Sequence, residues 1–138
     1  MILPDTSVWV EYLRTEGSAP KRAARYSPAE ALDGQLEQAQ VVTCGPVAAE
    51  LLAGARGPQR EALTTQLGAL PWIDLKHADW LAVGQTAGKL GEQGQTTPLI
   101  DVQIAVCAVV AEAELWTRDS DFERIAAVLD GLRLRLFE

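Results

Sequence analysis

Four acidic side chains stand where an α/β chain can gather reactive groups. Asp5 follows a short apolar start, Glu50 and Asp101 lie in apolar helix-like stretches, and Asp119 follows the strand-like residues 114–117. Two carboxylates about 4 Å apart repel each other by about 4 kcal/mol at an effective dielectric constant near ~20, so four that converge call for bound cations. Because all the donors are oxygens, Mg²⁺ or Mn²⁺ is the best fit.

Each of these acids also has a purely structural alternative. Asp5 could serve only as the cap of the first helix, and taken alone it supports that alternative as well as a catalytic one. Asp101 lies in the first turn of an otherwise apolar helix. This position favours a functional role over that of an ordinary solvated side chain. Glu50 could be an ordinary exposed helix residue, while Asp119 and Asp121 could be turn or capping residues. The function hypothesis therefore depends on the four acids together.

The elements that must position these acids alternate between strands and helices. This alternation predicts an α/β domain with a mainly parallel central sheet of four to five strands, whose carboxyl ends share one edge. All four acids can reach that edge. Strands are predicted at Ile2-Leu3 and at residues 41–43, 72–75, 114–117 and 132–137. Helices are predicted after residue 6 or 7, at 27–40, from 45, and at 57–70, 78–89, 99–111 and 121–129, with 16–26 as a connector.

Capping residues and prolines indicate where several helices begin. Thr6 or Ser7 can cap the first helix, and Ser27 directly before a proline predicts a capping-box start. Thr97 is the expected cap of the apolar helix, with Pro98 at its first position. This last helix is apolar on nearly every side, so it should lie deep in the core.

Length and composition indicate a single globular domain, residues 1–138, with 48% hydrophobic and 22% charged residues. The net charge of −7 argues against a broad basic surface for nucleic acid, so any such substrate must be held locally. The start has no basic leader and no apolar run is long enough to cross a bilayer, so a cytoplasmic protein without a membrane segment is expected.

Other reactive residues form no recognisable site. Cys44 and Cys107 make no CxxC pair and are interpreted as separate reduced thiols. His77 is the only histidine and has no second His or Cys to complete a metal site. Glycines spaced by three in residues 88–94 do not form the dinucleotide-binding GxGxxG pattern.

Four segments together resemble one known family, the PIN-domain ribonucleases, and within it the VapC toxins of bacterial and archaeal toxin–antitoxin pairs. The resemblance covers essentially the whole chain, with the segments in the family's order. They are Leu3-Pro4-Asp5-Thr6-Ser7-Val8-Trp9, Glu50-Leu51-Leu52-Ala53-Gly54, Asp101-Val102-Gln103-Ile104-Ala105, and Leu115-Trp116-Thr117-Arg118-Asp119-Ser120-Asp121-Phe122.

The resemblance implies a PIN-like three-layer sandwich and a ribonuclease site. Its acidic quartet would be Asp5, Glu50, Asp101 and Asp119, binding Mg²⁺ or Mn²⁺, with Asp121 as a weaker metal ligand. Ser7 and Thr117 match hydroxyl positions that orient the acids. The resemblance also implies a homodimer, an RNA substrate such as tRNA, and inhibition by a small antitoxin whose basic tail enters the acidic cleft.

Local cations and an apolar groove are needed to bind these partners. The exposed faces of the helices bearing Trp9, Tyr12 and Leu51 are the predicted groove for the antitoxin. The candidate cations for RNA are Arg118, the pair Arg56 and Arg60, and the group Lys21, Arg22 and Arg25.

The predicted reaction is hydrolysis of RNA phosphodiester bonds with metal assistance. One alternative is a catalytically silent PIN-like domain that binds a basic protein partner, and the intact quartet argues against it. A second is a phosphoryl-accepting α/β domain. The single acid at Asp5, with no DxDxT pattern after it, argues against that class.

Overall fold

The computed structural model describes residues 1–15 and 27–138, in which strands and helices alternate as predicted. The predicted connector, residues 16–26, lies outside the described residues. The strands are β1 (Ile2–Pro4), β2 (Thr43–Cys44), β3 (Trp72–Ile73), β4 (Glu114–Thr117) and β5 (Arg133–Leu136). The helices are α1 (Thr6–Thr15), α2 (Pro28–Glu37), α3 (Gly45–Gly54), α4 (Pro58–Gly68), α5 (His77–Glu92), α6 (Leu99–Val110) and α7 (Phe122–Val128).

All pairings between these strands are parallel. β1 pairs with β4 and β4 with β5, while β2 pairs with β3. A parallel bridge between Ile2 and Val41 joins the two groups, supported by hydrogen bonds from Ile2 N to Gln40 O (2.7 Å) and from Val42 N to Ile2 O (2.9 Å). The described strands thus follow the order β3-β2-β1-β4-β5. The predicted parallel sheet is confirmed, with β5 at its edge.

Helices flank this sheet in two groups that share one core. α1 packs against α2 and α3, while α5 packs against α6 and α7. Six residues of α6 are buried, as expected for its apolar sequence. Leu3 of β1 and Leu115 of β4 are fully buried beside them in the core. None of the helices in residues 1–15 and 27–138 has the length and hydropathy needed to span a membrane.

The cap of α1 is Asp5, the candidate given by its structural alternative, and neither Thr6 nor Ser7 occupies that position. The Asp5 carbonyl accepts from Trp9 N (3.2 Å), and its Oδ1 accepts from Val8 N (3.2 Å). Because Asp5 is the first residue after the strand, its side chain reaches the free N–H groups of the first turn. The strand therefore passes into the helix with no intervening loop.

The start of α6 also differs from the prediction. Pro98, with an extended backbone (φ −55°, ψ 132°), occupies the cap position in place of Thr97, and its carbonyl accepts from Asp101 N (3.0 Å). The Thr97 hydroxyl is buried and has no partner among the described residues. The first turn of α6 thus begins one residue later and contains Asp101.

Helix α2 ends at Glu37, before the predicted end near Gln40. Ala39 adopts a φ of 55°, which takes the chain out of the helix. Gln40 N then bonds to Gln35 O (3.0 Å) as the chain turns towards β1. The turn allows residues 40–42 to run beside the first strand.

Candidate functional site

Asp5 is the first residue after β1, at the carboxyl end of that strand, and is 4% exposed. Its backbone N–H donates to Trp116 O (2.9 Å), which ties it to the neighbouring strand. Ser7 Oγ donates to its Oδ1 (2.5 Å), and Thr117 Oγ1 donates to its Oδ2. Burial raises the pKa of Asp5, and these hydrogen bonds oppose that rise by stabilising the carboxylate. Asp5 is therefore both a helix cap and a fixed acid at the sheet edge.

The loop between β4 and α7 brings a second acid to the same edge. Thr117 Oγ1 accepts from Asp119 N (2.9 Å) while donating to Asp5, so one hydroxyl joins two acidic residues. Asp119 Oδ1 in turn accepts from Asp121 N (2.9 Å). The Asp119 side chain is exposed, and its only hydrogen-bond donor among the described residues is Asp121 N of the same loop.

Glu50 reaches the same region from the middle of α3. It is half-buried, and its Oε1 accepts from Thr6 Oγ1 at 2.6 Å. Thr6 is the first residue of α1 and directly follows Asp5. Glu50 is therefore held beside Asp5 by a hydrogen bond between two helices.

The Asp101 carboxylate lies within electrostatic range of the other acids. Burial raises its pKa from 3.8 to about 6, and the charges of Asp119, Glu50, Asp5 and Asp121 add to the rise in that order. No hydrogen-bond donor or cation in residues 1–15 and 27–138 contacts the Asp101 carboxylate. The structure thus brings every acid of the predicted set within electrostatic range of one half-buried carboxylate.

The donor set suits a hard cation but does not form a closed ligand shell. Across the described parts of the chain, no three Asp, Glu, His or Cys side chains stand close enough to hold a metal ion as they are placed. The donors are nonetheless all oxygens, and Asp101 has an unpaired carboxylate surrounded by negative charge. Carboxylates with several retained waters are the usual environment of Mg²⁺, so the residues present fit Mg²⁺ or Mn²⁺.

The basic side chains that could contact RNA differ in whether they already have a partner within the protein. The Arg118 side chain forms an ion pair with Glu11. Arg60 is occupied at the end of α3, where its Nη2 donates to Ala55 O (2.7 Å). The Arg56 side chain is exposed and has no hydrogen bond or ion pair with any described residue. The group Lys21, Arg22 and Arg25 lies outside the described residues.

The predicted apolar docking face is only partly present. The expectation that Trp9 and Leu51 lie on exposed faces is wrong, because Trp9 is 3% and Leu51 5% exposed. Both contribute to the core. An open cavity of about 620 Å³ does lie between α1, α3 and α4, next to Glu50. Its apolar lining consists of Val10, Leu13, Leu51, Ala55, Ala62 and Leu63.

Two residues of the site were not found from the sequence. Thr6 was considered only as a cap, yet it donates to Glu50. Glu11 was not considered, yet it pairs with Arg118 beside the acids. Ser7 and Glu11 are four residues apart on α1, a spacing that places both on one helix face. That spacing was the available signal for Glu11.

Comparison with known proteins gives consistent results at the level of family and fold. Residues 2–128 match the model of the PIN domain. The chain is 34% identical over 131 residues to VapC ribonuclease Mb1587 of Mycobacterium bovis and to ribonuclease VapC11 of Mycobacterium tuberculosis, covering 93% of each chain. Its fold is similar to VapBC2 from Rickettsia felis bound to a promoter DNA fragment (TM-score 0.73, 21% identity) and to DNA-bound VapBC from Salmonella typhimurium (TM-score 0.73, 18% identity), each covered over 100% of both chains.

Proposed function

This chain belongs to the PIN-domain family, and on that premise we propose that it is a Mg²⁺- or Mn²⁺-dependent endoribonuclease, with residues 1–138 acting as one nuclease domain. We propose further that it is the toxin of a VapBC-type toxin–antitoxin pair and acts in the cytoplasm. Relatives of nearly equal length are named as VapC ribonucleases. The observation that carries the metal-dependent chemistry is the convergence of four acidic charges on Asp101.

In the proposed reaction Asp5, Glu50, Asp101 and Asp119 hold the cation, with Asp121 as a weaker ligand. When bound there, a divalent cation would lower the pKa of a water for in-line attack on the phosphodiester and would neutralise charge that builds on the phosphate oxygens. The two hydroxyl donors to Asp5 keep its oxygens in place. Because the same Thr117 hydroxyl also accepts from Asp119 N, the acids that follow β1 and β4, Asp5 and Asp119, are held by one side chain.

The proposal is tested by incubating the purified protein with end-labelled RNA in Mg²⁺, in Mn²⁺ and in excess EDTA. We expect cleavage only with a cation, and we expect Asp101→Asn to lose it. Asp74→Asn, which changes an exposed aspartate after β3, is the matched control and should remain active. Undiminished cleavage in EDTA contradicts the metal dependence. A wild type that cleaves no RNA with either cation favours the silent interaction domain.

RNA is proposed to meet the site through few local cations, since the chain has a net charge of −7. Arg56 is the better candidate because it is unpaired among the described residues, whereas Arg118 is held by Glu11. Structured RNA such as tRNA is the proposed substrate class. Arg56→Gln should raise KM for RNA and weaken its salt dependence, because one phosphate contact is lost. An unchanged KM removes Arg56 from the RNA path.

The proposed antitoxin contact combines the acids with the cavity between α1, α3 and α4. Glu50 lines this cavity beside its apolar residues, so an amphipathic segment could bury apolar side chains there and direct an arginine towards the acids. Arginine suits this role because its planar fork pairs with a carboxylate through two hydrogen bonds.

The antitoxin contact is tested by changing the C-terminal arginines of the antitoxin to alanine and measuring both binding and residual RNA cleavage. We expect loss of inhibition together with weaker binding. Inhibition that survives the loss of every such arginine shows that the antitoxin acts elsewhere.

A homodimer is proposed through the exposed face of α5. Trp80 and Leu81 on this helix are 49% and 57% exposed, and the neighbouring Gly84 and Gly88 face open space. Between copies that each carry a net charge of −7, an uncharged face of this kind is the least repulsive contact. Leu81→Arg should therefore yield a monomer in sedimentation equilibrium, with Val110→Arg as the exposed apolar control. A dimer that survives Leu81→Arg rules out this face.

A further inference from the structure

Arg118 is attached to α1 at two points. Its backbone N–H donates to Ser7 Oγ (3.0 Å), and its guanidinium forms an ion pair with Glu11. Ser7 and Glu11 are one helical turn apart, so the two attachments lie along one face of α1. The loop after β4 is therefore fastened along α1 over a full turn.

This attachment lies between two residues of the acidic site. The preceding residue, Thr117, donates to Asp5, and the following residue is Asp119. The Asp119 carboxylate accepts only from Asp121 N among the described residues and is otherwise exposed. Its position relative to Asp101 thus depends on where the loop itself is held.

From these contacts we infer that Glu11 and Arg118 are positioning residues that hold the β4–α7 loop on α1 and thereby fix Asp119 opposite Asp101. This inference rests on the proposed function for its effect on catalysis. Glu11 and Arg118 are 29% and 41% exposed, so their pair is screened by water and adds little to global stability. Its effect is on the geometry of the loop.

The alternative role for Arg118 is a direct contact with RNA, and the two roles predict different results for Glu11→Gln. If Glu11 positions the loop, removing its charge should damage the site as much as Arg118→Gln does. If Arg118 binds RNA, removing Glu11 should release the guanidinium and improve RNA binding. The behaviour of Glu11→Gln therefore separates the two roles.

The first experiment measures Mn²⁺ affinity by electron paramagnetic resonance on wild type, Glu11→Gln, Arg118→Gln, the double variant and Arg118→Lys. Outer-sphere partners of metal ligands typically change affinity 10- to 100-fold, and we expect about a tenfold loss in each single variant. The double variant should lose no more than either single one. Arg118→Lys, which can keep the ion pair, should retain most of the affinity.

Arg133→Gln is the matched control. This change removes one positive charge from β5. Arg133 pairs with Glu114 at the start of β4, whereas Thr117 is at the end of that strand. Mn²⁺ affinity should be unchanged in this variant. On RNA, Glu11→Gln and Arg118→Gln should lower kcat and leave KM unchanged. A raised KM in Arg118→Gln combined with a lowered KM in Glu11→Gln overturns the inference and assigns Arg118 to RNA.

A second measurement does not depend on metal or RNA. Hydrogen–deuterium exchange of the metal-free protein should be faster in residues 118–123 of both single variants and unchanged in Arg133→Gln. Exchange that matches wild type overturns the positioning role. If the variants exchange faster but the wild type binds no Mn²⁺ and cleaves no RNA, the loop is positioned as inferred and the proposed function fails.

Discussion

Replacing Asp101 by asparagine is expected to stabilise the cation-free protein while abolishing RNA cleavage. The carboxylate is half-buried, faces four other acids, and has no donor among the described residues. Its pKa rises from 3.8 to about 6, and a shift of about two units corresponds to at most ~3 kcal/mol at neutral pH. Because water screens a half-buried charge, the expected gain in the free energy of unfolding is roughly 1–2 kcal/mol.

The pH dependence of this gain has a defined sign. A carboxyl group whose pKa is higher in the folded than in the unfolded protein favours folding while it is protonated. For Asp101 that contribution is complete below pH 3.8 and is lost as the pH rises through about 6. The gain from Asp101→Asn should therefore be small near pH 4 and reach its full value above pH 7.

The assay is urea denaturation in EDTA at pH 4.5 and pH 7.5, with thermal melting alongside. At pH 7.5 the Tm of Asp101→Asn should exceed that of wild type by roughly 4–8 °C for a domain of this size. Asp74→Asn, with an exposed aspartate, controls for the loss of one negative charge. A Tm below wild type at pH 7.5 refutes the argument from repulsion and assigns Asp101 a structural hydrogen bond. A gain equal at both pH values refutes the role of ionisation.

Three further predictions follow from contacts in the site. Adding Mn²⁺ to wild type at 100 times its Kd should raise the free energy of unfolding, measured by calorimetry, by about 2.7 kcal/mol. The gain should be much smaller in Asp101→Asn, and equal gains in the two proteins mean that the ion binds elsewhere. Thr117→Val removes hydrogen bonds to Asp5 and to Asp119 N, so urea denaturation should show a loss of about 1.5–3 kcal/mol together with loss of cleavage, and an unchanged stability contradicts those contacts. Asp5→Ala should be about 1 kcal/mol less stable than Asp5→Asn, because asparagine can still cap α1; equal stability of these two inactive variants means that the cap is dispensable.

Helix starts that depend on local chemistry were predictable from the sequence. Pro46 and Pro58 each follow a glycine and stand in the first turn of α3 and α4. Proline fits there because its ring fixes φ and the N–H it lacks would be unpaired in a first turn. Gly57, with a φ of 54°, provides the break before α4 that the sequence predicted.

Cap identities were less predictable because tertiary contacts decide them. Thr6 and Ser7 are as good caps as Asp5 by residue type. The backbone of Asp5 stays with the sheet through its bond to Trp116 O, and this makes Asp5 the last residue before the helix. The deciding contact comes from Trp116 of β4, far along the chain, so the local sequence left Asp5, Thr6 and Ser7 all as candidates for the cap.

The meeting of the four acids near one edge of the sheet was predictable because parallel strands end at a common edge, whereas their catalytic role stays a prediction. The family resemblance predicted Ser7 and Thr117 as hydroxyl partners of the acids, and both donate to Asp5, but the contacts made by Thr6 and Glu11 were not predicted. Thr6 meets Glu50 across 44 residues of sequence, and Glu11 meets Arg118 across 107. Such pairs depend on the crossing of α1 with α3 and with the β4–α7 loop, which hydrophobic periodicity does not specify.

The sequence distance between Asp5 and Thr117 has a consequence for when the nuclease can first act during synthesis. β1 is made first but lies in the interior of the sheet, and its hydroxyl partner is 112 residues further along the chain. Domains form during translation from the N-terminal side, and contacts of high sequence separation form late. A chain still leaving the ribosome therefore carries Asp5, Glu50 and Asp101 before it carries Thr117 or Asp119. Until β4 emerges and pairs with β1, the nascent protein lacks Asp119 and the Thr117 contact to Asp5, so on the proposed assignment of the site we expect it to be inactive towards the RNA of its own ribosome.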